Sequence, residues 1–213
     1  MQAAYIEPDE LLAERAKTDA AAFGELYERY LKRIYSYIYY RTGNSHDAED
    51  LTEKTFFQAL SNLQRYRIQS APFAAWLYRI AHNIVANWHR DNGRHQAVQL
   101  DGLVELKDPD DDPVAAAETR EEKTELRGAI ARLPLERQEL LLLKFCEQMA
   151  NAEIARVMGR TEGAVKALLH RTLESLRNEL TRSREEMQDH IARTTLPFGV
   201  TLQRRQDEAK STG

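Results

Sequence analysis

The stretch Asn151 to His170, NAEIARVMGRTEGAVKALLH, decides how this chain is read. Ile154 and Met158 supply the inward face of a first short helix, and Ala155 stands where another helix must approach closely. Gly159 can adopt the left-handed conformation that ends a helix. Thr161 is a natural N-cap for a second helix, whose inward face is Val165 and Leu168. Small, glycine and apolar residues at these offsets predict a helix-turn-helix, a motif that lays its second helix in the DNA major groove. An ordinary αα-corner satisfies the same spacing.

The surrounding chain is predicted to be almost wholly helical. Its 213 residues suit one or two domains, and 42% are hydrophobic, enough for real cores. Only 9 glycines and 6 prolines occur, mostly between periodic stretches. No apolar run approaches the roughly 20 residues of a membrane span. The opening MQAAYIEPDELLAERAK lacks the basic-then-apolar pattern of a signal peptide, so the expected compartment is cytoplasmic. Cys146, the single cysteine, excludes an intramolecular disulfide; beside LLLLKF it is expected to be a small buried residue.

The net charge of −4 is unevenly distributed. Residues 1–95 balance 12 basic against 12 acidic groups, and residues 126–213 carry 15 against 12. Residues 96–125 hold 3 basic and 10 acidic groups. That acidic, proline-containing segment is expected to be a solvated linker between two folded parts.

In the N-terminal part, Phe23, Leu26, Tyr27, Tyr30, Leu31, Ile34 and Ile38 recur at spacings of three and four, an amphipathic helix. Gly43 and Asn44 break it. Asn44 or Ser45 can cap a second helix that opens with Asp47, Glu49 and Asp50, acids suited to the positive end of a helix dipole. Leu51, Phe56, Ala59, Leu60 and Leu63 are its expected buried side. A third helix follows Pro72, with Phe73, Leu77, Ile80, Ala81, Ile84 and Trp88 on one face.

Off that apolar face, Arg79, Asn83, Asn87, Arg90 and Arg94 line up at intervals of four, four, three and four. Arg65, Tyr66, Arg67 and Trp76 stand near them. Between 65 and 95 five arginines oppose a single acid, Asp91. Arginine supplies phosphate contacts and flat rings can stack on unpaired bases, so this part is expected to meet single-stranded or distorted nucleic acid. A solvated basic face over packed tryptophans is the plainer alternative. His82, His89 and His95 match no familiar ligand spacing, and no phosphate loop or nucleophile motif occurs. Neither a metal, a cofactor nor catalysis is expected.

The order of motifs resembles a family. DAEDLTEKTF, then FAAWLYRIAHNIVANWHR, an acidic linker, LPLERQELLLLKF and AEIARVMGRTEGAVKALLHR together resemble a bacterial sigma factor of the small extracytoplasmic-function group (group 4). Such proteins consist of the family's second and fourth regions only. The resemblance covers roughly residues 20–95 and 126–180, leaving 1–19 as an N-terminal segment and 181–213 as a C-terminal extension.

The resemblance implies an all-α protein of two small domains that binds core RNA polymerase and directs it to promoters. It assigns polymerase docking to Asp47, Glu49, Asp50 and Glu53, with Leu51 and Phe56 behind them. It assigns the −10 promoter element to Arg65, Tyr66, Arg67, Trp76, Arg79, Asn83, Asn87, Arg90 and Arg94, which would hold bases extruded from one strand. The −35 element would fall to Arg160, Thr161, Glu162, Ala164, Lys166, Ala167, His170 and Arg171, read as duplex. The linker would thread the polymerase channel that later carries RNA. An anti-sigma factor is the usual control in the family, and Leu196, Pro197 and Phe198 would anchor any regulatory contact of the extension.

The chain departs from the family pattern in places. Asn87 stands where an aspartate is usual. Arg160 replaces an isoleucine after the turn glycine and must snorkel or turn toward phosphate. The recognition helix often reads GTVKSRLHRAR in the family and GAVKALLHRTL here, with leucines at 168 and 173 in place of arginines. Two other functions fit the residues: a helix-turn-helix regulator of duplex operators acting without polymerase, and an interaction factor whose acidic helix binds a partner.

Overall fold

The structure, a computed structural model, describes residues 7–92 and 123–194. The expected linker up to residue 122, Arg94, His95 and the anchor at 196–198 lie outside the described residues. Every regular element among the described residues is a helix, as the spacing predicts. The N-terminal part holds α1 (Asp9–Arg15), α2 (Ala20–Thr42), α3 (Ser45–Asn62), a 3-10 turn (Leu63–Arg65) and α4 (Phe73–Asn92). The C-terminal part holds α5 (123–131), α6 (Leu135–Leu141), a π turn (Leu142–Cys146), α7 (Asn151–Met158) and α8 (Glu162–Thr194). Helix α5 thus begins inside the stretch read as linker.

The breaks fall where local chemistry puts them. Gly43, at φ 67°, ends α2, and its N–H donates to the Tyr39 carbonyl at 2.8 Å. The Asn44 side chain then accepts from the N–H groups of His46 and Asp47 at 2.9 and 3.2 Å, capping α3. Asp19 caps α2 in the same way, through the Ala21 N–H.

Helices α2, α3 and α4 bury Leu26, Ile34, Ile38, Ala59, Leu63 and Leu77 between them. Tyr30 and Phe73 pack edge to face with ring centres 5.6 Å apart. Periodicity alone misassigned two positions: Leu60 is 52% exposed and Tyr27 also reaches the surface. Each lies at the margin of its apolar stripe, where no further helix covers it. The resemblance leaves residues 1–19 as an N-terminal segment outside the second region, yet α1 belongs to the core. Leu12 is fully buried, and Asp9 accepts hydrogen bonds from Arg29 and from the Tyr30 hydroxyl.

Helix α6 carries on into one π turn. Its extra residue per turn rotates Phe145 and Cys146 outward, so Cys146 is exposed rather than buried as expected. Gln148 follows with φ 54°, a left-handed conformation that costs a non-glycine residue energy.

The two parts are not held apart. Helix α7 packs on α4, and Leu140, Leu143, Met149, Ile154 and Val157 join the same apolar cluster as the residues of α2 to α4. No spacing in the sequence predicts this contact, since the acidic segment reads as a linker between two folded parts.

Candidate nucleic-acid interface

The helix-turn-helix forms as its glycine and cap predict. Gly159 sits at φ 65°, and the Arg160 N–H reaches back to the Ala155 carbonyl at 2.8 Å. Thr161 accepts from the Ala164 N–H at 3.2 Å, opening α8. Ile154, Ala155, Val157, Val165 and Leu168 close the space between the two helices. Leu168 therefore replaces an arginine with a core residue, whereas Leu173 remains exposed.

The other face of α8 presents Glu162, Lys166, Ala167, His170 and Arg171 to solvent, with Thr161 beside them and Ala164 half-buried. Lys166 pairs with Glu162 one turn earlier at 2.8 Å, so neither charge is preoriented outward. Arg160 neither snorkels nor stands free. It forms an ion pair with Glu136 of α6, which ties the turn to the body of the domain.

On α4 the exposed stripe reads Arg79, Asn83, Asn87 and Arg90, as spacing predicts. Arg65 and Arg67 lie exposed on the connection before it. Arg67 Nη1 donates to the carbonyls of Gln64 and Tyr66 at 2.8 and 2.9 Å, which ties one side of its guanidinium to the turn.

Tyr66 is a correction. It is buried, packed between Phe73 and Trp76, and its hydroxyl donates to the Ala71 carbonyl at 3.0 Å. Burial, reinforced by Glu10 and Glu14, pushes its phenol up to about 12, so it stays neutral. The ring braces the loop between the 3-10 turn and α4 and has no free face for a base. Trp76 is half-buried, packed against Tyr66 and Phe73.

The acidic helix forms a second surface. Glu49, Asp50 and Glu53 are exposed and Asp47 is half-buried. Leu51 and Phe56 are buried beneath them and cannot touch a partner directly. Beside the acids an open groove runs between α2 and α3, lined by Phe23, Tyr27, Tyr35, Phe57 and Leu60 among others. Phe57 is 73% exposed, the most uncovered large apolar side chain among the described residues. The reading of Phe56 passed over it. Adjacent helical residues point about 100° apart, so of the pair Phe56–Phe57 only one can face the core.

Known proteins resemble this chain over both parts. The family model for sigma-70 region 2 matches residues 26–95, and that for sigma-70 region 4 matches residues 123–176. Together the two matches cover more than half of the chain.

The chain belongs to the sigma-70 family.

Among its relatives, the RNA polymerase sigma factor YlaC of Bacillus subtilis is 32% identical over 163 residues, covering 76% of this chain and 94% of that protein. The ECF sigma factor BldN of Streptomyces coelicolor is 37% identical over 166 residues, 78% of this chain but 63% of that longer protein. The ECF sigma factor SigD of Mycobacterium tuberculosis is 30% identical over 176 residues, covering 81% and 83%. The fold matches CnrH, solved with the cytosolic domain of CnrY, at a TM-score of 0.60 and 22% identity, covering 83% and 99% of the two chains. It also matches RpoE of Bartonella quintana, solved with the anti-sigma factor NepR, at 0.56 and 18% identity, covering 75% and 96%.

The protein is thus an extracytoplasmic-function sigma factor, a transcription-initiation factor that binds core RNA polymerase and promoter DNA and is not an enzyme. A polymerase-independent operator binder is not favoured. No described helix is long and apolar enough to cross a membrane.

Proposed function

We propose that this sigma factor meets its partners through three surfaces. The acid-rimmed groove of α2 and α3 docks on core RNA polymerase. Glu49, Asp50 and Glu53 steer a basic partner element into register, and Phe57, Leu60 and Tyr27 supply the apolar contact. Complementary charge aids encounter and orientation more than raw affinity, so the exposed rings carry the holding energy.

The stripe Arg79, Asn83, Asn87 and Arg90, with Arg65 and Arg67, holds the opened −10 strand. Removing a base from its stack costs a few kcal/mol. Stacking recovers ~1–3 kcal/mol per base, and the arginines add phosphate contacts. Half-buried Trp76 offers its exposed part, whereas Tyr66 acts only as a brace.

Helix α8 enters the duplex at −35 with Glu162, Lys166, Ala167, His170 and Arg171. Released from Lys166, Glu162 can accept from a cytosine amino group. With α1 in the N-terminal core and α5 starting at 123, the two domains extend slightly beyond 20–95 and 126–180, and a cytoplasmic location accompanies this reading.

The observation that carries it is the exposed arginine and asparagine line on α4. Run-off transcription with core polymerase tests it. Replacing Arg79, Asn83 and Asn87 together with alanine should abolish open-complex formation while co-elution with polymerase persists. Undiminished transcription would remove the −10 assignment.

A further inference from the structure

The loop at residues 66–72 joins the exposed Arg65 and Arg67 to the α4 stripe, and the short helix α1 ties it down. Ala71 and Pro72, which precede α4, have no side chain that can cap a helix. The Phe73 N–H, an orphan donor of the first turn, instead donates to Glu10 Oε1 on α1, 63 residues earlier in the chain. That contact is long, at 3.4 Å. The Tyr66 carbonyl is equally short of local partners, since no backbone N–H of a described residue donates to it. It accepts from Lys17 Nζ at 3.0 Å and from Arg67 Nη1 at 2.9 Å.

Lys17, just past the end of α1, grips in both directions. Its carbonyl accepts from Gln64 Nε2 at 2.6 Å, and its ammonium also pairs with Glu14 at 2.6 Å. The side chain is only 14% exposed. An ammonium so far withdrawn from water needs charge-assisted partners, which a carboxylate and a carbonyl supply here. Burial alone would seat α1, because Leu12 and Ala13 are fully covered. The polar ties from Glu10 and Lys17 do something else: all of them end on the stretch from Gln64 to Phe73.

We infer that Glu10 and Lys17 are positioning residues for −10 recognition, holding the loop from α1 in the shape that meets an extruded base. The match to region 2 begins only at residue 26, so a segment outside it sets how strictly this sigma factor reads its promoter. A loop already in its bound shape loses little conformational freedom on binding. Equally, it cannot shift to accommodate a wrong base, and discrimination is the difference between those two affinities. The same frame fixes Arg67, whose Nη1 is taken by the turn, leaving the Nε and Nη2 side of the guanidinium for phosphate.

The inference rests on the −10 assignment above. The test uses holoenzyme made from core polymerase and the full chain, on a promoter it transcribes and on single-base variants of both elements. Run-off on each variant is divided by run-off on the parent promoter, which cancels any loss of active protein. Lys17→Met keeps the stem and removes the ammonium. It should lower discrimination at −10 about fivefold while discrimination at −35 and affinity for core polymerase stay unchanged. Lys17→Arg, which keeps a cationic donor, should restore it. Glu10→Ala should act in the same direction and speed hydrogen exchange at the Phe73 amide. Unchanged −10 discrimination in Lys17→Met and Glu10→Ala, an equal loss at both elements, or no rescue by Lys17→Arg overturns the inference. Undiminished run-off from the triple alanine variant of Arg79, Asn83 and Asn87 overturns the −10 assignment and this inference with it. Loss of open complexes there, beside unchanged discrimination in Lys17→Met, overturns this inference alone.

Discussion

The Tyr37 hydroxyl lies 2.5 Å from the Glu139 carboxylate across 102 residues of chain, and it joins the N-terminal and C-terminal parts of this sigma factor through a buried hydrogen bond. The contact makes the folded protein acid-sensitive in a defined direction. Burial alone would raise the Glu139 carboxyl, but Arg41, His82 and Tyr37 together outweigh it and hold the group below the ordinary value of 4.5. A carboxyl depressed by folding contributes stability in full above its unfolded value. That contribution fades as pH falls through the lower folded value. The wild-type chain should therefore lose Tm on acidification below pH 4.5 more steeply than Glu139→Gln. Parallel slopes for the two proteins in calorimetry would contradict the assignment.

Phe57→Ala should leave the fold intact, since the ring packs on almost nothing within the chain. Surface truncations of this kind change stability by no more than about 0.5 kcal/mol. Loss of an interface anchor commonly costs more than ~1 kcal/mol, so affinity for core polymerase should fall about tenfold. Asp50→Lys with Glu53→Lys should abolish co-elution with polymerase at unchanged helicity. Retained binding in both variants would move the docking surface elsewhere.

Lys166→Ala with Arg171→Ala should weaken duplex binding at −35 and lower its salt slope by about one for each lost phosphate contact. Because Lys166 pairs with Glu162, Lys166→Ala alone also frees that carboxylate and should alter base preference. A titration across salt concentrations separates the two effects. An identical slope in the double variant would exclude these residues as phosphate contacts.

Gln148→Gly should raise thermal stability. Its φ of 54° strains any residue with a Cβ, and glycine removes a cost of order 1 kcal/mol. The hydrogen bond from Gln148 Nε2 to the Phe145 carbonyl, 2.6 Å, offsets part of that gain. A net rise of a few degrees in Tm is expected, and a fall would mean that the side-chain bond outweighs the backbone strain.

Local punctuation was legible in the sequence. Gly43 with Asn44, and Gly159 with Thr161, act through their own backbone and side chains, so their reading needed no knowledge of neighbours. The arginine and asparagine stripe on α4 was equally plain, being one face of one helix. Orientation at the edges of apolar stripes was not. Phe57, Leu60 and Tyr66 take their places from what packs beside them, and a 3.6-residue repeat cannot say where the covering helices stop. No local spacing points to the ion pairs of the acids at 139 and 147, because their partners Arg41 and Arg33 lie some hundred residues earlier. Helix α1 hid for a related reason: at 7 residues it is too short to display a period.

Helix α8 has one more consequence. The segment proposed to enter the −35 groove and the start of the C-terminal extension are a single uninterrupted helix of 33 residues, Glu162–Thr194, about 50 Å from end to end. Arg132, just past α5, pins its middle through Glu179 at 3.2 Å. That is the geometry of a lever on a fulcrum. A small sideways push on the far arm swings the DNA-reading tip, so whatever grips the end near Thr194 can aim the −35 contact without touching DNA.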